Sequence, residues 1–155
     1  MQNYYEEVVH SESLLRFMPG PRHEVVCQRL QTIVAGCLTS TSRLLPPREV
    51  VQLTPGSLVR PDLVVIAVAT GKPWLIVEVI DSDDHRADTV IKKNLYEELK
   101  FPRLWMVDPR YNNVEVYHGS PYGLALKHIL AGREQLTETL LPALSLSMND
   151  LFKLE

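Results

Sequence analysis

Apolar and polar positions divide the chain into runs of distinct period. Residues 13–18 read as a short first strand, stopped by Pro19-Gly20-Pro21. Over residues 22–38, Val26, Leu30, Ile33, Val34 and Cys37 recur at three- and four-residue steps. That spacing predicts an amphipathic helix with one face on a core. Residues 39–47 read as loop, and 50–53 as a short edge strand before Pro55-Gly56. Residues 63–69 form a continuous apolar, β-branched run, and 74–80 form another, broken only by Glu78. Strands buried on both faces have this pattern. Thr70-Gly71-Lys72-Pro73 supplies turn chemistry between them, which predicts an antiparallel hairpin.

Downstream, Ala87, Ile91, Leu95 and Leu99 mark a second amphipathic helix ending before Pro102. Residues 104–107 read as a strand stopped by Asp108-Pro109. Val114, Val116 and His118 alternate along a further strand, with 124–130 as its partner. The tail, 136–152, is apolar at irregular spacing, broken by Pro142, and is expected to pack back on the sheet. The order of helices and strands predicts an α/β or α+β sandwich around one mixed sheet, with residues 1–155 forming a single domain.

Composition adds limits. The 155 residues are 45% hydrophobic and 23% charged, a globular mixture that excludes general disorder. No apolar run approaches the ~18 residues of a membrane span. Met1 to Glu7 has neither the basic start nor the apolar stretch of a secretion signal, so a cytoplasmic address is expected. Cys27 and Cys37 are then free thiols used for packing. The net charge of −3 differs from the basic balance of a dedicated nucleic-acid binder. It leaves room for an enzyme with a local basic surface, for which Lys92, Lys93, Lys100, Arg103 and Arg110 are candidates.

Two acids break the apolar pattern. Asp62 stands at the mouth of the first buried run and Glu78 inside the second. A hairpin centred near Thr70 places them opposite one another, with both carboxylates on one face. Either one of them takes up a proton or a cation sits between them. Oxygen donors of this kind suit Mg²⁺ or Mn²⁺. The structural alternatives are that Asp62 caps a strand end and that Glu78 pairs with Arg60 or Arg103.

The second helix bears on that choice. With Ile91 at zero and about 100° per residue, the apolar residues span roughly −40° to +80°. Asp88 falls near +60° and Lys92 near +100°, so both lean inward, while Lys93 at about +200° faces water. Lys92 is then either a snorkelling or ion-paired lysine at the border of the core, or a catalytic cation. If it lies at that border, Lys92→Ala abolishes activity while folding stays nearly intact. Tyr96 lies one turn further on, beside it. Other chemistry is not indicated. Asp81-Ser82-Asp83-Asp84 lacks the glycine and glutamate of a calcium loop. His23-Glu24 lacks the second histidine of a zinc-protease motif. The five histidines show no ligand spacing.

Together these residues resemble the restriction-endonuclease-like fold with its PD-(D/E)XK motif. More closely, the chain is similar to the bacterial Uma-two family, whose members are assigned as endonucleases. The likeness is carried by Pro21-Arg22-His23-Glu24, Arg60-Pro61-Asp62-Leu63-Val64-Val65 and Leu75-Ile76-Val77-Glu78-Val79-Ile80. It continues through Asp88, Lys92 and Tyr96 at four-residue steps, Leu104-Trp105-Met106-Val107-Asp108-Pro109, and the ending Leu140-Leu141-Pro142-Ala143-Leu144 with Leu151-Phe152. The resemblance implies a central mixed β-sheet flanked by helices. It implies that Asp62 and Glu78 hold Mg²⁺ or Mn²⁺, with the Val79 carbonyl as a further ligand. The strand lysine of the standard motif is replaced by Ile80, and the family draws its lysine from the following helix, here Lys92. Glu24 or His23 matches the first-helix position that completes such sites, with Asp88 and Tyr96 in support. The implied function is metal-dependent hydrolysis of phosphodiester bonds in nucleic acid, with DNA the expected partner, no membrane, and a homodimer compatible with the site. The alternatives are a non-catalytic member of the fold acting as a binding or regulatory module, and a hydrolase of another phosphoester. After Glu78, Asp81-Ser82-Asp83-Asp84-His85 stands where the family usually carries a Ser-Pro-rich turn, which adds negative charge.

Overall fold

The computed structural model describes residues 4–81 and 86–154. It opens on a strand that the sequence pattern missed. β1 (Tyr4–Val9) pairs antiparallel with β2 (Glu12–Phe17) through His10 and Ser11, both at positive φ. Such a turn usually announces itself with glycine or asparagine, and neither is present. α1 (Pro21–Ala35) starts with proline in its first turn and buries His23, Val26, Cys27, Leu30 and Val34. The expected loop at 39–47 contains β3 (Ser42–Leu44), an edge strand paired with β6 (Leu63–Ala67). Three residues are too few to show a period. β4 (Val51–Thr54) and β5 (Ser57–Val59) join β1 and β2 in a four-stranded sheet of order β2-β1-β5-β4.

The central sheet has six strands in the order β10-β9-β8-β7-β6-β3. β6 and β7 (Pro73–Val79) form the expected antiparallel hairpin, although β6 ends at Ala67 and Val68 is exposed. β8 (Arg103–Asp108) lies parallel to β7, and β9 (Asn113–Ser120) and β10 (Gly123–Ala131) continue antiparallel. The β7–β8 crossover carries a helix that begins as a π-helical turn, Ala87–Lys92, and runs on as α2 (Lys93–Glu98). The irregular tail is a second hairpin, β11 (Gln135–Glu138) and β12 (Leu141–Ser147), followed by α3 (Met148–Phe152). Exposed Pro142 hides the alternation of the buried residues Leu141, Leu144 and Leu146. Ser147 caps α3 by accepting from the Asp150 N–H at 3.1 Å.

The two faces of the sheet bury different layers. Leu75, Val77, Val79, Trp105 and Val107 face a cluster with Val26, Leu30 and Val34 of α1 and the C-terminal hairpin. Ile76, Ile80, Leu104 and Met106 face a second cluster with Leu95, Tyr96, Val9 and Val59. Period-two alternation places Glu78 on the second face, between Ile76 and Ile80. There it meets the crossover helix and the small sheet.

Candidate active site

The β6–β7 register pairs Leu63 with Val77, so one further step sets Asp62 opposite Glu78, as expected. The two carboxylates nevertheless take separate partners. Asp62 stands just before β6, and its Oδ2 accepts the Val79 N–H at 2.8 Å. Its Oδ1 lies 3.3 Å from His23 Nε2 and 3.7 Å from an Arg48 nitrogen. Glu78 Oε2 lies 2.6 Å from Lys92 Nζ and accepts the Tyr96 hydroxyl at 2.6 Å. Neither Arg60 nor Arg103 is its partner. The Arg60 guanidinium donates to backbone carbonyls of Glu6 and Arg48, and Arg103 pairs with Glu138.

Lys92 is wholly buried, deeper than the border position its spacing suggested. Its ammonium is shared by Glu78 and by Glu7 of β1, at 2.6 and 2.7 Å, with Asp88 at 3.9 Å. The π-helical turn explains the depth. It winds more residues per turn than an α-helix. The buried stripe becomes Ala87, Asp88, Lys92, Leu95 and Tyr96, while Ile91 is half-buried and Leu99 exposed. Lys93 does not point into water. It is half-buried, with its ammonium 4.6 Å from the centre of the Tyr117 ring.

Glu7 and Arg16 are the members of this network that sequence reasoning missed. Arg16 binds both Glu7 and Asp88, and Glu7 also accepts the Arg60 N–H at 2.6 Å. The available signal was weak. Glu7 shares a strand face with Val9, an acid on an apolar side, but the strand itself was not recognised. Glu24 is half exposed and held by Arg48 through two contacts of 3.0 and 3.2 Å. Of the five basic residues expected near the mouth, Lys92 is sealed inside, Lys93 covers Tyr117, and Arg103 and Arg110 pair with Glu138 and Asp108. Ser82 to His85 lie outside the described residues.

The network carries more negative than positive charge. Among the described residues, the side chains of Glu7, Glu78 and Asp88 are paired with the cations Lys92 and Arg16, and Asp88 Oδ2 is buried with no hydrogen-bond donor. Burial drives the Glu78 carboxyl up to about 8, with Lys92 opposing and the charges of Asp88, Glu7 and Asp62 adding. Burial likewise lifts Asp88 to about 6. For Glu7, burial is outweighed by Lys92 and Arg16, so it stays below its ordinary value. Asp62 is also lowered, because His23 and the Val79 N–H outweigh burial. His23 is raised in return. Burial and the neighbouring carboxylates therefore favour keeping a proton on Glu78. The oxygen donors of this pair of acids suit a hard divalent cation. Asp62, Glu78 and the Val79 carbonyl are the groups that would hold it. A cleft of about 270 Å³ lined by Gly20, His23, Asp81 and Arg110 opens beside the His23–Asp62 pair.

This six-stranded mixed sheet with its α1 and crossover helices is a restriction-endonuclease-like architecture. Its fold matches the crystal structure of a protein described as a "putative nuclease belonging to DUF820" from Anabaena variabilis ATCC 29413. The TM-score is 0.77 at 17% identity, over 95% of this chain and 89% of that one. The chain belongs to the Uma2 family, described as "Putative restriction endonuclease", whose model matches residues 7–149. No curated protein matches it. Among the described residues, no helix is long and apolar enough to cross a membrane.

Proposed function

We propose that this chain is a Mg²⁺- or Mn²⁺-dependent nuclease that hydrolyses phosphodiester bonds of DNA at Asp62 and Glu78. The observation that carries the reading is the opposed pair of buried acids, with the Lys92 ammonium on Glu78, inside a network short of positive charge. Asp62, Glu78 and the Val79 carbonyl would hold the cation, which would supply Lewis-acid polarisation of the phosphate and make a water more acidic. His23 fixes the Asp62 carboxylate from one side and the Val79 N–H from the other. Lys92 and Tyr96 fix Glu78, and Lys92 favours its ionised form. To orient an attacking water, Lys92 would give up its contact with Glu78, which the Tyr96 hydroxyl would still hold. Glu7 holds the ammonium in place from the other side.

A non-catalytic binding module is the second reading. It is favoured by the saturation of Lys92, whose ammonium already bridges Glu7 and Glu78. Incubation with supercoiled DNA and with RNA, in Mg²⁺, Mn²⁺ or chelator, separates the two. The nuclease reading expects metal-dependent nicking of DNA that is lost in Asp62→Asn and Glu78→Gln. DNA left intact under every metal condition favours the module, and cleavage of RNA alone corrects the substrate.

A further inference from the structure

The first turn of α1 gathers a second set of donors, of different chemistry from the acid pair. The His23 Nδ1 lies 3.2 Å from Glu24 Oε1 and 3.5 Å from Cys27 Sγ. The three donor atoms all fall within 4.8 Å of one another. Ligand bonds of about 2.0–2.1 Å for nitrogen and oxygen and about 2.3 Å for sulfur, at tetrahedral angles, separate N from O by roughly 3.3 Å and N from S by roughly 3.6 Å. The two edges at His23 therefore match one ion, and the Glu24–Cys27 edge lies within 4.8 Å. His23 and Cys27 sit four apart on one helix face and are both buried, so their side chains are already ordered.

Two further features point to the same use. A histidine that binds metal through one ring nitrogen usually gives the other N–H to a carboxylate. Here Nε2 is turned to Asp62 Oδ1 at 3.3 Å, which leaves Nδ1 for the trio. A separate cleft of about 300 Å³, lined by Glu24, Cys27, Gln31 and Arg48, opens onto the thiol and the carboxylate. It offers access and room for a water as fourth ligand. Arg48 holds Glu24 through both oxygens. Oε1 can pass to the ion while Oε2 keeps the guanidinium.

We propose that His23 Nδ1, Glu24 and Cys27 Sγ form a thiophilic site for Zn²⁺ or Co²⁺, distinct from the oxygen site of Asp62 and Glu78. On loading, the S–H bond breaks, the sulfur keeps the electron pair and forms the metal–sulfur bond, and its proton leaves to solvent together with the one on His23 Nδ1 when the ring is protonated, which frees the Nδ1 lone pair for the ion. The ion fixes the His23 tautomer that donates to Asp62, so occupancy of this site steadies a ligand of the other one.

The test is titration of the full-length protein with Co²⁺, read as absorption. Thiolate ligation gives a near-ultraviolet charge-transfer band with strong visible bands, saturating at one equivalent and displaced by Zn²⁺ but not by Mg²⁺. Cys27→Ser, checked for folding by circular dichroism, loses the charge-transfer band, whereas Cys37→Ser keeps it. Asp62→Asn weakens binding by roughly 10–100-fold through the lost outer carboxylate. Glu78→Gln leaves the band unchanged, so failure of the oxygen site is read separately from failure of this one. Wild-type protein without a thiolate band overturns the proposal. So does a band that survives in Cys27→Ser.

Discussion

Lys92 is the residue on which the site's energetics turn. It carries a full charge with no exposed surface, between two carboxylates. Removing one partner of a buried ion pair costs about 3–5 kcal/mol, because the remaining charges lose compensation. Lys92→Ala is therefore expected to lower stability by that order in urea unfolding. The correction to the sequence-based expectation, in which folding stays nearly intact, comes from the depth of the ammonium. Lys93→Ala removes only a cation–aromatic contact with Tyr117 and is expected to cost about 0.5–1 kcal/mol. Equal losses from the two variants would contradict the placement.

Glu78 sets a pH dependence at the same scale. Its carboxyl is pushed from 4.5 up to about 8, mainly by burial. Between those values the unfolded chain has released a proton that the folded chain keeps. Folding then takes up a proton, and stability falls as pH rises, by up to about 1.4 kcal/mol per pH unit for one such group. Asp88, raised from 3.8 to about 6, acts the same way at the lower end. His23, also raised, loses its contribution as pH climbs through its folded value. Asp62 and Glu7 are lowered, so what they contribute is present above the ordinary carboxylate range and lost only in acid. Metal-free protein should be most stable near pH 5 and decline toward pH 8. Glu78→Gln leaves two acids against two cations and should flatten the decline. Urea midpoints measured across that range decide it, and a wild-type profile that stays level would refute the assignment.

At the scale of elements, legibility followed period and length. The β6–β7 hairpin was readable because two apolar runs flank a clear turn, and its register set Asp62 opposite Glu78 from sequence alone. α1 was readable from Val26, Leu30, Ile33 and Val34 at helical steps, although it ends at Ala35, before Cys37 and the expected end at 38. The crossover helix was placed correctly but in the wrong phase. An ideal 100° step assumes α-helical winding, and the turn Ala87–Lys92 is wound more loosely. That error moved Ile91 and Leu99 inward, and it left Lys92 at a border rather than in the interior. β1 was lost because its turn is built from His10 and Ser11, so Glu7 was lost with it. The end of the crossover helix depends on a close approach. A Cβ at Gly119 of β9 would meet the Lys100 and Phe101 carbonyl oxygens at 2.5 and 2.6 Å. Both are backbone atoms and cannot step aside cheaply. Gly119→Ala is expected to cost about 1–3 kcal/mol, several degrees in Tm by calorimetry. An unchanged Tm would show that the β8–β9 edge has slack.

For the whole molecule, the site is an assembly of distant segments. Glu7 and Arg16 come from the N-terminal hairpin, His23 from α1, Asp62 and Glu78 from the central hairpin, and Asp88, Lys92 and Tyr96 from the crossover helix. The apolar layers on the two sheet faces hold these segments in register. Hydrophobic burial thus supports a charge network that is itself unfavourable without a further cation or proton. Native protein that binds a divalent cation at Asp62 and Glu78 must become more stable with its concentration. At roughly 100 times the dissociation constant the gain is about 2.7 kcal/mol, which is several degrees in Tm.

Calorimetry of wild type and Glu78→Gln, each with chelator and with rising Mg²⁺ at pH 8, tests this most directly. The account predicts that wild type gains several degrees. Glu78→Gln should match or exceed metal-free wild type and lose most of the response to Mg²⁺. A wild-type Tm indifferent to millimolar Mg²⁺, or an equal rise in both proteins, would contradict a cation at Asp62 and Glu78.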